Sequence, residues 1–110
     1  MAKSLEEFRK EFLNGNELIA DISQYGDVPA EISDEDVYDY SLLFRNEEVA
    51  VNYICSNYNV SREELLSNLH EDDALREEYG KDKYLRSAVF EFSKCINELY
   101  DGTYILWKVC

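Results

Sequence analysis

A chain of 110 residues, 45% of them hydrophobic and 14% aromatic, is enough for one packed domain spanning 1–110, with no need of disulfide or metal staples. That apolar content excludes a disordered chain despite a net charge of −13, and no apolar run approaches the ~20 residues of a membrane span. The excess of 24 acidic over 11 basic residues excludes direct binding to nucleic acid, which needs cations to neutralise phosphates.

In chain order, Ser4-Leu5-Glu6-Glu7 is a capping box that opens a helix with Leu5, Phe8 and Phe12 on one stripe, ending near Asn14-Gly15. Leu18, Ile19 and Ile22 predict a second short helix over about Glu17–Gln24, and Tyr25–Ile32, with Gly26 and the single proline Pro29, predicts a loop. Ser33 reads as the N-cap of a third helix, with Asp34, Glu35 and Asp36 in its first turn and Val37, Tyr40 and Phe44 buried. A fourth helix is expected over Glu47–Asn57. A second capping box, Ser61-Arg62-Glu63-Glu64, leads to Leu65, Leu66 and Leu69, and a further short helix runs through Leu75 and Tyr79 to a stop at Gly80.

Leu85, Ala88, Val89, Phe92, Cys95, Ile96, Leu99 and Tyr100 then recur at i, i+3, i+4 spacing, which predicts a long organising helix over 82–100. Asp101-Gly102 turns the chain into a strand over 103–109, rich in β-branched and aromatic residues. The fold expected is therefore mainly α (α+β): a compact bundle of five to six helices around helix 82–100, with one C-terminal strand. A lone strand must pair with something, and the segment around 28–32, a second copy or a partner protein are the available edges.

The charge is segregated along the chain. Residues 11–44 carry nine carboxylates (Glu11, Glu17, Asp21, Asp27, Glu31, Asp34, Glu35, Asp36, Asp39) and no Lys or Arg, whereas 1–10 and 81–110 are each about one charge positive. Residues 45–80 add nine more acids against Arg45, Arg62 and Arg76. A one-sign surface attracts and steers partners of the opposite sign. Solubility alone asks for a net charge magnitude of roughly 2–8, so the surplus points to a basic partner, although solubility is the plainer reading of any acidic chain.

Residue types that carry chemistry are sparse. His70 is the single histidine, and its neighbours Glu71, Asp72 and Asp73 make either an acid/base cluster or, more plainly, a solvated acidic turn. Asp34-Glu35-Asp36 with Asp39 lacks the alternating ligands, sixth-position Gly and twelfth-position Glu of a calcium loop. Gly15, Gly26, Gly80 and Gly102 sit at turns and form no phosphate-cradling loop. Segments 47–57 and 61–69 resemble a helix-turn-helix, but Glu63 and Glu64 beside Arg62 oppose a DNA-reading role. No catalytic residue, metal or cofactor is expected, and the chain reads as a non-enzyme. Three widely spaced cysteines (Cys55, Cys95, Cys110) without a CxxC suit a reducing cytosol, and no secretion signal follows Met1.

Tyr25, Tyr38, Tyr40, Tyr53, Tyr58 and Tyr79 lie within the acidic half and are the residue type of interface centres, with Tyr40 and Tyr53 the best candidates for core. The expected partner-binding residues are Glu31, Asp34, Glu35, Asp36, Tyr38, Asp39, Glu63, Glu64, Glu71, Asp72, Asp73, Glu77 and Glu78. On a helix, acids at i and i+4 rise about 6 Å apart, so Glu31, Glu35 and Asp39 form a row. Duplex DNA carries one charge per ~1.7 Å, so no single helix matches it; segments 31–39 and 63–78 must share a face.

In size, in its acidic blocks Glu11–Asp39 and Glu63–Glu78, and in its tyrosine content, the chain resembles the small acidic inhibitors of phages and mobile elements. These are the anti-CRISPR and anti-restriction proteins, many of them DNA mimics. The resemblance implies a cytoplasmic protein, in the host bacterium's cytosol, that occupies the DNA- or PAM-binding groove of a defence nuclease. Two alternatives stand beside it: an immunity protein or antitoxin that neutralises a basic toxin, and an adaptor that dimerises through its C-terminal strand.

Overall fold

The C-terminal segment is a strand, as its composition predicts, but it lies at the centre of a sheet and not at the margin of a helical bundle. The computed structural model describes residues 3–32 and 38–109, the side chains of Tyr38 and Val109 excepted. In chain order the elements are α1 (Leu5–Asn14), β1 (Ile19–Asp21), β2 (Tyr38–Phe44), α2 (Glu47–Asn57), α3 (Arg62–Leu69), α4 (Asp73–Tyr79), a 3-10 turn (Lys81–Lys83), β3 (Ser87–Phe90), β4 (Lys94–Glu98) and β5 (Tyr104–Val109). All neighbouring strands run antiparallel in the order β1-β2-β5-β4-β3.

Two layers cover this sheet. The inward faces of α2 and α3 (Ala50, Val51, Ile54, Leu65, Leu69) pack on Phe44, Ala88, Phe90, Ile96, Tyr104 and Leu106. On the opposite face, Leu5 and Phe12 of α1, with Ile22 and Ile32, pack on Ala20, Tyr40, Leu43, Leu99 and Ile105. Alternation along β5 feeds both layers, since Tyr104 and Leu106 point one way and Ile105 the other. Fully buried side chains such as Phe44, Ile54, Leu65 and Ile105 each contribute roughly 1.5–3 kcal/mol.

The helix termini follow their local signals. Ser4 Oγ accepts from Glu7 N at 3.2 Å and Ser61 Oγ from Glu64 N at 3.1 Å. Asn46 caps α2 by accepting from Val49 N, and α4 stops at Gly80, whose φ of 111° favours glycine.

Three predicted helices are instead strand or turn, and the helical bundle gives way to an α+β fold with a five-stranded sheet. Residues 82–100 form no α-helix: after the 3-10 turn, β3 and β4 make a hairpin, with Ala88 and Phe90 inward and Val89 61% exposed. Their turn, Glu91-Phe92-Ser93, contains no Gly, Pro or Asn, so nothing local interrupts the helical spacing that the apolar residues happen to share. Residues 38–44 of the predicted third helix are β2. A bulge between Tyr40 and Leu42 places Tyr40 and Leu43 on one face and Leu42 and Phe44 on the other, which reproduces an i, i+3 pattern within a strand. The predicted helix at 17–24 is the three-residue edge strand β1, with only Ala20 inward. The N-cap assigned to Ser33 lies outside the described residues. β5 pairs with β2 and β4, not with 28–32, so neither of its edges remains for a strand-mediated dimer.

Candidate functional site

The acidic residues divide into three groups according to what surrounds them. The first is structural. Glu31, expected at the working surface, is only 3% exposed and accepts from Arg9 Nη2 at 2.8 Å and Tyr100 N at 2.7 Å. Arg9 also donates from Nε to Asp101 Oδ2 at 3.0 Å, clamping α1 to the β4–β5 turn. Burial works against the Glu31 carboxylate, but these hydrogen bonds outweigh it and hold the group below the usual carboxylate range. Glu98 is likewise 5% exposed, gripped by the Arg76 guanidinium and accepting from Arg86 N at 3.2 Å.

The second group is a cluster centred on His70, which caps the C-terminus of α3. His70 Nε2 lies 2.6 Å from Glu47 Oε1, and Nδ1 lies 2.7 Å from Asp73 Oδ2. Arg86 donates to Glu47 Oε2 at 2.8 Å and to both oxygens of Asp73, while Tyr104 Oη donates to Glu47 Oε2 at 3.0 Å. His70 is thus no solvated turn residue: its acidic partners are Glu47, from a different helix, and Asp73. Asp73, expected to bind a partner, belongs to this lock.

The hydrogen bond to Glu47 raises the His70 pKa, with Asp73 helping and burial and Arg86 opposing. A group whose pKa is raised by folding stabilises the fold fully below its unfolded pKa, near 6.5, and that contribution is lost as pH rises through the folded value. The urea midpoint of the parent is therefore expected to fall relative to that of His70→Gln as pH rises from below 6.5 into the alkaline range; parallel profiles would sink the assignment.

The third group is exposed. Glu63 and Glu64 on α3, Glu71 and Asp72 in the following turn, and Glu77 and Glu78 on α4 are all exposed and form no ion pair among the described residues. α3 packs on β3, and α4 is tied through Arg76 and Asp73 to Glu98 and Arg86, so all six lie on the helical side of the sheet. Leu75 and Tyr79 of α4 are also exposed, at 40% and 53%.

Among the described residues, Glu31 and Asp39 do not join the carboxylates of 63–78 in one acidic face. Glu31 is buried in the α1 layer, behind the sheet from α3. Asp39 of β2 lies on the α2 side, but its cross-strand neighbour Lys108 approaches it to 3.6 Å, and Lys108 stands opposite Lys94. Asp34, Glu35 and Asp36 lie outside the described residues, as does the side chain of Tyr38. The helical row Glu31, Glu35, Asp39 has no helix to stand on at Asp39.

The cations explain why the remaining acids stand alone. Arg9, Arg76 and Arg86 are held by internal carboxylates, and Arg45 donates to the backbone oxygens of Phe12, Gly15 and Glu17. Arg62 donates to Asn52. Arg62 keeps its charge against this neutral partner and is exposed, as are Lys81 and Lys83 just after α4, so the six carboxylates outnumber but do not exclude cations on the helical side. Sequence spacing carried no signal of the arginine pairings, because the carboxylates that hold Arg9, Arg76 and Arg86 are remote along the chain. Cys55 is half-buried and Cys95 buried, both as free thiols. Among the described residues no group of His, Cys, Asp and Glu is placed to hold a metal ion, and no helix is long and apolar enough to cross a membrane.

No protein-family model, no curated protein and no solved structure matches this chain.

Proposed function

We propose that this chain is a non-enzymatic inhibitor that binds a basic, nucleic-acid-handling protein, a CRISPR or restriction nuclease, through the carboxylates of α3 and α4. The observation that carries the reading is the six-residue set Glu63, Glu64, Glu71, Asp72, Glu77 and Glu78, exposed on the helical side of the sheet and without an ion pair among the described residues, while Arg76 and Arg86 are held by internal carboxylates. Two helices and the turn between them supply more carboxylates than either helix alone, which the charge density of a duplex demands. Long-range attraction would speed encounter, and Arg–carboxylate hydrogen bonds would hold the complex. Exposed Leu75 and Tyr79 on α4 add apolar contact to the same side.

Plasmid cleavage by a panel of purified CRISPR and restriction nucleases, at low and high salt, tests this. The parent is expected to inhibit at least one nuclease, and more weakly as salt rises. Six rim pairs at roughly 0.5 kcal/mol each total about 3 kcal/mol, so the variant E63Q/E64Q/E71Q/D72N/E77Q/E78Q is expected to inhibit roughly a hundred-fold less well. Undiminished inhibition by that variant would remove charge mimicry from the account.

A further inference from the structure

The β3–β4 turn combines two features that folding alone does not require. Phe92, at its tip, is 103% exposed, more than any other large hydrophobic side chain among the described residues. Glu91 and Phe92 both adopt positive φ, 43° and 59°, a left-handed backbone that L-residues disfavour and that hairpin turns ordinarily assign to Gly, Asn or Asp. A glycine would relieve the backbone, and a polar residue would remove the exposed ring. Holding a bulky aromatic in this position therefore works against stability, and such outliers cluster where a surface does something else.

The turn is also held in place. Glu91 Oε1 accepts from Asn59 N at 3.2 Å, tying the tip to the α2–α3 connection, and Glu91 Oε2 lies 3.5 Å from Lys94 Nζ. Lys94 in turn sits over the Tyr58 ring at 5.5 Å, and Tyr58 packs against Phe90. Phe92 is thus presented on a braced support, with little conformational freedom left for a partner to remove. The connection that braces it runs straight into Ser61 and the first turn of α3, where Glu63 and Glu64 are exposed. At its other end α3 reaches His70 and Asp73, which bond toward Arg86 just before β3. Phe92 therefore marks one end of the acidic layer.

We propose that Phe92 is the apolar anchor of an interaction surface, seated in a hydrophobic pocket whose rim carries Arg or Lys side chains that meet Glu63 and Glu64. The occupant is a cationic protein surface, chosen by charge complementarity with the neighbouring carboxylates. This inference rests on the inhibitor reading above and deepens it, by stating that the partner's basic groove has an apolar recess beside it. An aromatic in a desolvated pocket ringed by polar contacts is the arrangement that concentrates binding energy.

Two synthetic probes separate the charge term from the anchor term: an amphipathic helical peptide of Leu and Lys, and a Lys-only peptide of equal charge. Phe92→Ala is expected to weaken binding to the Leu/Lys peptide by roughly ten-fold or more, and to leave Lys-only binding unchanged. The six-carboxylate variant is expected to weaken binding to both. If that variant binds the Lys-only peptide as the parent does, the charge reading itself fails. If Phe92→Ala binds the Leu/Lys peptide like the parent while the charge variant does not, the anchor alone is wrong. Phe92→Gly supplies a structural check, its thermal midpoint being expected to equal or exceed the parent's; a lower midpoint would give Phe92 a role in the fold and overturn the proposal. Parent self-association that Phe92→Ala abolishes would assign the pocket to a second copy and overturn it equally.

Discussion

Replacing Arg9 by Met is expected to lower folding stability by about 3–5 kcal/mol, because it strands carboxylates that the fold has already removed from water. Glu31 keeps only 3% of its side-chain exposure, and without the Arg9 guanidinium it is left with backbone N–H donors alone, those of Tyr100 and of Glu31 itself, and no opposing charge. Asp101 retains Thr103 N and Oγ1 as donors and is the less exposed to harm. The loss therefore resides chiefly in an uncompensated charge at Glu31, and this has a distinguishing consequence. Adding Glu31→Gln to Arg9→Met is expected to recover part of the loss, although it deletes a second polar partner. The pH dependence carries the same information. Glu31, held below its usual range, stabilises the parent at neutral pH and ceases to do so as pH falls through its folded pKa. In the Arg9→Met variant the sign reverses, since protonation of Glu31 then relieves an unpaired charge. Urea denaturation with unchanged m-value is the measurement, and a loss below about 1 kcal/mol would show that water already reaches Glu31.

The second large effect is expected at Arg76→Met, at about 3 kcal/mol, through release of α4 from the sheet. α4 contains no buried residue, so it has no apolar face to hold it down. Apart from a ring contact between Tyr79 and Tyr84, its attachments are polar: Arg76 Nη2 to Glu98 Oε2 at 2.8 Å, Arg76 Nη1 to Tyr84 O at 3.1 Å, and the Asp73–Arg86 pair. Glu98, 5% exposed, would keep only Arg86 N among these donors. Amide hydrogen exchange is expected to quicken along 73–79 while β4 and β5 stay protected. Because Glu77 and Glu78 ride on α4, the variant is also expected to inhibit less well with every proposed contact residue intact. Unchanged exchange in α4 would place its anchorage elsewhere.

Both predictions concern arginines that the sequence does not distinguish from surface cations. Arg9 and Arg76 meet carboxylates 22 residues or more away, as does Arg86 with Glu47. Glu31 looked like the first member of an exposed row and is the most enclosed carboxylate of the expected site; Asp73 looked like one acid of a run and is half of a lock on His70. Glu63, Glu64, Glu71, Asp72, Glu77 and Glu78 were readable as exposed because they follow caps or occupy the outer sides of short amphipathic helices. That they form no ion pair among the described residues was not readable, since it depends on where every cation goes.

Local sequence by itself determined the ends of four helices, the extended character of 104–109 and the sign of the surface. Each of these rests on interactions within a few residues: Ser4 and Ser61 capping the NH groups three positions on, Gly80 tolerating positive φ, β-branched and aromatic side chains favouring an extended backbone, and an acid count that no folding alters. Tertiary structure alone decided that 38–44, 87–90 and 94–98 are strands and that Phe92 is a projecting tip. A bulged strand and a hairpin with a non-glycine turn can share the apolar spacing of a helix. The choice between them is made by pairing with β5, whose backbone groups need partners on both sides. The same long-range pairing decides which carboxylates are buried with arginines and which are left facing water.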